Sequence, residues 1–241
     1  MMYALSEEGR GSGGQPPRLA VSVVLLRDSP AGLEVFVQHR VSTMDFAAGM
    51  VVFPGGRVDN VDSSGWTFSG NLLDAHAAAW GRTSVSNDES RARHNAGRLL
   101  AAAVREVAEE CGISLGQDSL VPWANWVTPE GQPKRFDTYF FVTTAGPGVE
   151  PRHQTTEAWQ SHWLPVRQII QDEAAGTLRL LPPTLTILDE LLEIGAAAAS
   201  ILKTKRAIES VRPRPGDMEE YFRLRRVNEK WDMRTPRPAQ S

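Results

Sequence analysis

The chain has little cysteine, no long apolar run and no excess of charge, and each absence excludes a class of protein. Cys111 is the only cysteine among 241 residues, so no internal disulfide can form and a reducing, cytoplasmic setting is expected. No window of about 18 continuous apolar residues occurs, which argues against a membrane-spanning helix. The formal net charge of -3 provides no general attraction to nucleic acid or to a membrane surface.

Two common functional motifs are also missing. The histidines show no H-E-x-x-H spacing, so a zinc centre of that type is not predicted. No G-x-G-x-x-G follows the first predicted strand, which disfavours a dinucleotide-binding fold of the Rossmann type. Cys111 stands beside two glutamates, which would raise the pKa of its thiol, so we interpret it as a small buried helix residue rather than a nucleophile.

Composition divides the chain into three parts. Residues 1–17 are rich in glycine, serine and proline, lack the pattern of a signal peptide, and are expected to form a disordered leader. Residues 18–200 carry the apolar patterns of one folded domain. Residues 201–241 mix basic and acidic residues with prolines. We expect a helical or irregular C-terminal extension there, packed on the domain or on a partner subunit of a homodimer.

Apolar periodicity predicts strands on both sides of a central helix. The predicted strands are Leu19–Leu26, Leu33–Gln38, Met50–Phe53, Leu120–Val127, Thr138–Val142 and Trp159–Leu164. The predicted helices are Leu72–Trp80, Gly97–Glu110, Pro165–Glu173, Thr184–Ile194 and Glu219–Glu229. The turn residues at 28–32 predict that the first two strands are antiparallel. This order predicts a layered α/β domain.

The helix predicted over Gly97–Glu110 carries the strongest functional signal. Glu106, Glu109 and Glu110 stand at i, i+3 and i+4, so their carboxylates share one helix face. Like charges at this spacing destabilise a helix by about 0.2–0.5 kcal/mol per pair, and a helix C-terminus disfavours anions. A hard cation such as Mg²⁺ would compensate. These residues alone leave a second interpretation open, a solvated acidic face softened by pairing of Arg105 with Glu109.

The segment Arg105–Ile113 reads REVAEECGI and resembles the second half of the Nudix box, R-E-U-x-E-E-x-G-U, where U is aliphatic. Every specified position is filled, and Gly56 resembles the opening glycine of the box. The resemblance spans about residues 18–195. It implies a Nudix fold, which is an α/β/α sandwich around a mixed sheet. It also implies hydrolysis of a diphosphate linkage in a nucleoside diphosphate derivative, with Mg²⁺ or Mn²⁺ as cofactor.

The box is interrupted in this chain. Gly56 and Arg105 are 49 positions apart, so about 35 residues, roughly 59–93, are inserted into the usual G-x5-E-x7-R pattern. Gly97 occupies the place of the box's first glutamate. An interrupted box resembles the subfamily that includes peroxisomal coenzyme A diphosphatases. The segment Gly49–Gly56 resembles its G-x3-F-P-G-G stretch, but Asp45 stands where that signature has an arginine.

The resemblance implies roles for the charged residues of the box. Glu106 and Glu110 are expected to be the main metal ligands, with the carbonyl of Gly56 completing the shell. Glu109 is expected to be a further ligand or to position the attacking water. Arg105 is expected to orient these carboxylates.

Residues outside the helix are further candidates. Glu157 is expected to be a later metal ligand or the base, with an ordinary surface glutamate as the alternative. Arg40 and Arg135 are candidates for binding substrate phosphates through charge-assisted hydrogen bonds, with structural pairing as the alternative. Gly55 and Gly56 would let the backbone approach a phosphate or a metal closely.

Three functions follow from these features. The first is hydrolysis of coenzyme A or acyl-coenzyme A, acting on a phosphorus-containing acid anhydride. The second is a pyrophosphatase for ADP-ribose, NADH or a dinucleotide. The third is a non-catalytic nucleotide-binding regulator, which the intact glutamates disfavour.

The expected partner is a small nucleotide diphosphate, not nucleic acid or membrane. Some eukaryotic relatives end in S-K-L, whereas this chain ends Pro238–Ser241, so a cytoplasmic location is expected.

Overall fold

The computed structural model describes residues 16–41, 47–146, 149–152, 154, 158–227 and 229–236. Seven strands form one mixed sheet. They are β1 (Arg18–Ser29), β2 (Gly32–Arg40), β3 (Val51–Val52), β4 (Val121–Val127), β5 (Phe136–Thr144), β6 (Ala158–Pro165) and β7 (Ser210–Val211). The order across the sheet is β3-β2-β1-β5-β4-β7, and β6 pairs with β2. The six predicted strands are therefore confirmed, whereas β7 was not predicted.

The strand directions make the sheet mixed. β1 and β2 form an antiparallel hairpin, with Ser29 opposite Gly32, as the turn residues predicted. β1 runs parallel to β5, and β4 runs parallel to β7. Gly32 adopts a φ of +104°, a conformation that glycine reaches without steric cost, so it lets the chain reverse between β1 and β2.

Six helices accompany the sheet in the part of the chain that the structure describes. They are α1 (Gly70–Ala79), α2 (Glu89–Cys111), α3 (Val166–Ala174), α4 (Pro182–Ile194), α5 (Ala198–Ile201) and α6 (Asp217–Arg226). Among the described residues, no helix is long and apolar enough to cross a membrane. The five predicted helices are confirmed, with shifted ends.

The carboxylate-bearing helix α2 is longer than predicted. It begins at Glu89 rather than Gly97, because the side chain of Asp88 accepts the Ser90 N–H and caps an extra two polar turns. It ends at Cys111, one residue beyond the predicted Glu110. Gly112 takes a left-handed φ of +68°, and its N–H donates to the carbonyl of Ala108.

Two apolar cores lie on opposite faces of the sheet. Alternate residues of β1 point to opposite faces, so Val23 faces α2 whereas Val24 faces α3 and α4. Leu99 and Val107 of α2 are fully buried on the first face. Helices on both faces confirm the predicted α/β/α sandwich.

The C-terminal extension packs on the domain, one of the two arrangements expected for it. Tyr221 and Leu224 of α6, with Trp231 further along, join the core formed by α3 and α4. Arg225 forms a buried ion pair with Glu173 of α3. The homodimer stays a prediction.

Candidate active site

A cleft of about 1260 Å³ opens beside the C-terminal half of α2. Its lining brings together all the described candidate residues, namely Arg40, Gly55, Gly56, Arg105, Glu106, Glu109, Glu110 and Arg135. Glu157 lies outside the described residues, as does Asp45, so their expected roles stay predictions. One surface therefore collects groups that are separated by up to 95 positions in sequence.

The floor of the cleft is the loop that follows β3. This loop runs beside the first half of β1, where Val21 donates its N–H to the Gly56 carbonyl at 2.9 Å and Val23 donates to Pro54 at 2.8 Å. Gly55 has a φ of +151°, and a Cβ there would lie 2.7 Å from the Cα of Ser22. Because glycine has no Cβ, the loop can lie in direct contact with the backbone of β1 at this position.

Two of the three glutamates are buried against this loop. The Gly55 N–H donates to Oε2 of Glu110 at 2.9 Å. A Cβ at Gly56 would lie 2.6 Å from Oε2 of Glu106, so the absence of a side chain makes room for that carboxylate. Glu106 and Glu110 are 9% and 5% exposed, whereas the side chain of Glu109 is 57% exposed. Glu109 therefore stands at the rim.

The buried carboxylates are held at an electrostatic cost. Burial raises the pKa of Glu106, and the nearby charges of Glu109 and Asp62 raise it further. Hydrogen bonding and charge attraction from Arg105 oppose these effects. A cation added here would favour the ionised carboxylates. The neighbouring Cys111 is buried, and burial together with Glu110 raises the pKa of its thiol, which agrees with the predicted packing role.

Arg105 connects the carboxylates to the insertion. Its Nε and Nη2 donate to the two carboxylate oxygens of Asp62, each at 2.9 Å. Its Nη1 donates to Glu106 at 2.8 Å and to Glu109 at 3.1 Å. Pairing of Arg105 with Glu109 was anticipated from their spacing. Asp62 was missed, because it lies 43 positions away in a turn-rich stretch that carries no periodic signal.

The ring of Trp66 packs against Gly97, the position at which the box has its first glutamate. A Cβ at Gly97 would lie 2.5 Å from Cζ2 of Trp66, which belongs to the insertion. The indole ring therefore fills the volume that a larger side chain at position 97 would need.

Basic side chains line the cleft together with the glutamates. Besides the predicted Arg40 and Arg135, the lining includes Arg18, Arg57 and Lys134, which the sequence analysis did not single out. Nε of Arg135 donates to the carbonyl of Thr128 at 3.2 Å, so this side chain is partly committed to the structure. The basic residues supply the positive charge that phosphate groups require.

The cleft also has an apolar wall, which we define as Trp126 of β4 together with Met218, Phe222 and Met233 of the C-terminal extension. Trp126 and Met233 belong to one buried cluster, and half-buried Met218 and Phe222 pack against it. The sequence analysis assigned no role to the three residues of the extension, because a short amphipathic helix in a charged tail gives no indication of where it docks.

The carboxylate and carbonyl oxygens at this site suit a hard cation that would also be bound by substrate phosphates. Among the described residues, no three His, Cys, Asp or Glu side chains form a preformed metal cage. Mg²⁺ usually keeps several waters and binds one or two carboxylates together with substrate phosphates. Glu106 and Glu110 are one helical turn apart and buried, so they could serve as those two carboxylates. The Gly56 carbonyl accepts from Val21 and retains a second lone pair.

Comparison with known proteins identifies a similar sequence and similar folds. No family model matches the chain. The Caenorhabditis elegans protein named "Putative nudix hydrolase 7" is 23% identical over 201 residues, which cover 73% of this chain. The chain spans 61% of that relative's length.

A crystal structure gives the clearest comparison of folds. The NUDIX hydrolase from Alicyclobacillus acidocaldarius aligns with a TM-score of 0.61 at 24% identity, covering 83% of this chain and 100% of that one. The α/β/α sandwich is therefore a Nudix fold. At these identities the two comparisons show similarity to Nudix hydrolases in fold.

Proposed function

We propose that this chain is a metal-dependent hydrolase that cleaves the diphosphate linkage of a nucleoside diphosphate derivative, a phosphorus-containing acid anhydride. One observation carries the proposal. Two buried carboxylates, Glu106 and Glu110, lie against the loop of Gly55 and Gly56 in a cleft that basic side chains also line. The carboxylates suit a cation, and the basic residues suit the phosphates of a substrate.

The chemistry requires an in-line water and neutralisation of the non-bridging phosphate oxygens. Bound Mg²⁺ or Mn²⁺ would supply Lewis-acid stabilisation of those oxygens. In this proposal Glu106 and Glu110 hold the ion, with the Gly56 carbonyl as a further ligand. Glu109, exposed at the rim, completes the ligand set or accepts a hydrogen bond from the attacking water. Arg105 orients Glu106 and Glu109 through the hydrogen bonds that it donates to both.

The substrate phosphates would lie between the carboxylates and the basic lining. Arg40 and Arg135 are proposed to donate to phosphate oxygens, and Gly55 and Gly56 leave space for the diphosphate beside the backbone. Glu157 is proposed to complete the site as a later ligand or base.

Coenzyme A or an acyl-coenzyme A is the substrate that we propose first. The interrupted box and the G-x3-F-P-G-G segment support it, and the apolar wall offers a surface for a pantetheine or acyl chain. Asp45, in place of the arginine of that signature, favours the alternative, which is hydrolysis of ADP-ribose, NADH or a dinucleoside polyphosphate. In that case Phe222 and Trp126 would contact a base.

A substrate panel separates these alternatives. The purified chain is incubated with Mg²⁺ or Mn²⁺ and each compound, and the products are identified by mass spectrometry. We expect coenzyme A to yield 4′-phosphopantetheine and adenosine 3′,5′-bisphosphate. Turnover of ADP-ribose without turnover of coenzyme A would instead establish the alternative substrate class. Binding of these nucleotides with no turnover of any would identify a non-catalytic regulator.

A further inference from the structure

We propose that Asp62, which the insertion supplies, is a positioning residue for the carboxylate site. It fixes Arg105, and through Arg105 it sets the orientation and charge of Glu106 and Glu109. The inference rests on the proposed function in one respect, since it concerns the same cation-binding carboxylates.

The contacts of Arg105 leave its guanidinium no freedom. Nε and one Nη2 hydrogen go to the two oxygens of Asp62, and the second Nη2 hydrogen goes to the Arg57 carbonyl at 2.9 Å. Both Nη1 hydrogens go to glutamates, at Glu106 and Glu109. All five N–H donors of the group are therefore used. The fork to Asp62 is the bidentate pairing that fixes the plane of a guanidinium.

Asp62 is itself held independently of Arg105. It is 3% exposed and lies in the short 3-10 turn Asn60–Ser63. Its Oδ2 accepts the backbone N–H of Asp59 at 2.8 Å, and its carbonyl accepts from the indole of Trp66 at 3.0 Å. A carboxylate that is fixed before it meets its partner can serve as a fixed anchor for Arg105.

The segment from Asp62 to Trp66 excludes one carboxylate from the site and supplies another. Trp66 fills the space above Gly97, where the uninterrupted box has its first glutamate, so position 97 has no room for one. Four residues before Trp66, Asp62 presents a buried carboxylate to the arginine of the box. The insertion therefore replaces a charged group of the box as well as lengthening a loop.

The replacement affects how strongly the site can attract a cation. Asp62 balances the positive charge of Arg105, so the net charge around Glu106 and Glu109 stays attractive to a cation. Without Asp62, the positive charge of Arg105 would be balanced only by Glu106 and Glu109, and Arg105 would compete with the ion for these two carboxylates. Residues that orient metal ligands typically change metal affinity or activity by about 10–100-fold when they are mutated.

Direct Mn²⁺ binding tests the inference without relying on turnover. Free Mn²⁺ is titrated by electron paramagnetic resonance against the full chain and against Asp62→Asn, with no substrate present. We expect the variant to bind Mn²⁺ about 10–100-fold more weakly. The matched control is Asp74→Asn, which removes an exposed ion pair with Arg93 elsewhere in the insertion and should bind Mn²⁺ like the wild type. Equal binding by Asp62→Asn and the wild type would overturn the inference.

A double-mutant cycle shows whether Asp62 acts through Arg105. In an Arg105→Gln background, Asp62→Asn should have little further effect on Mn²⁺ binding, whereas additive losses would contradict the mechanism. Arg105→Lys keeps the charge but cannot form the fork, so it should weaken binding even if Asp62→Asn fails to fold. Wild-type affinity in a folded Arg105→Lys variant would also overturn the inference. Mn²⁺ binding that depends on Asp62, in a chain that hydrolyses none of the panel compounds, would refute only the proposed function.

Discussion

The insertion, about residues 59–93, and the C-terminal extension both reach the cleft, but they bring different chemistry to it. The insertion places the buried carboxylate of Asp62 on Arg105 and the ring of Trp66 on Gly97. The extension places Phe222 and Met233 in the apolar wall. Under the proposed function, the insertion would adjust the metal-binding end of the site, whereas the extension would determine which substrate group fits beside it.

The two regions also differ in the groups that they bury. The insertion buries an imidazole, since His76 is 3% exposed and stacks on Phe141. The extension buries the ring of Trp231 in the apolar core, and its Arg225 is paired with Glu173. We therefore expect the insertion to respond to acidic pH, and the extension to respond to changes of apolar contact.

Among the tests of this comparison, the largest effect is expected in the loop under the proposed metal-binding end. Gly56→Ala would place a Cβ 2.6 Å from Oε2 of Glu106 and push that carboxylate away. A displacement of about 1 Å in an active site can lower the rate about 100-fold, so kcat should fall by about that factor. Gly116→Ala is the control, because nothing lies within 4 Å of its Cβ position. Unchanged kcat in Gly56→Ala would argue against close packing of Glu106 on the loop.

The insertion is expected to be the acid-sensitive region. Burial lowers the pKa of His76 in α1 to about 4 from 6.5, so this imidazole is neutral in the fold. The unfolded chain takes up a proton below pH 6.5, so stability falls as the pH drops from about 6.5 towards 4. This group should lower the free energy of unfolding by about 2 kcal/mol between pH 7 and pH 5.

Urea unfolding at the two pH values measures this effect. His76→Phe, which keeps an aromatic ring beside Phe141, should lose that part of the pH dependence. His94→Gln, at an exposed position of α2, should retain it. An identical pH dependence in His76→Phe and the wild type would show that His76 does not carry the effect.

The extension is expected to control substrate binding. Phe222→Ala removes a half-buried ring from the apolar wall, and its loss should raise KM about tenfold with little change in kcat, since full burial of such a side chain is worth about 1.5–3 kcal/mol. Val227→Ala, 59% exposed just after α6, is the control. Asp62→Asn should leave the relative preference among substrates unchanged. If Asp62→Asn shifted that preference and Phe222→Ala did not, the insertion rather than the extension would control substrate preference.

The smallest effect is expected where the two regions touch each other. Arg82 of the insertion donates to Glu209 of the extension at 2.7 Å, but both side chains are 70% exposed. Exposed ion pairs contribute about 0–1 kcal/mol, so Arg82→Gln should change the free energy of unfolding by less than about 1 kcal/mol. A loss of several kcal/mol in urea unfolding would mean that the regions are coupled through this contact.

The sequence predicted the parts of the site that depend on local periodicity. The shared face of Glu106, Glu109 and Glu110 follows from helical spacing alone. The contact of Asp62 with Arg105 could not be predicted, because it joins residues 43 positions apart through tertiary packing. The pairing of β7 was missed for a related reason, since two residues, Ser210–Val211, are too few for an alternating pattern.

The central claim is that the buried carboxylates of α2 bind a metal that drives hydrolysis of a diphosphate. The most direct test is metal-dependent turnover by Glu110→Gln, which keeps the shape of the side chain but removes its charge. A metal contributes several kcal/mol to such reactions, so kcat should fall about 1000-fold. The exposed substitution Glu193→Gln should leave kcat unchanged. Wild-type turnover by Glu110→Gln would contradict the assignment of the site.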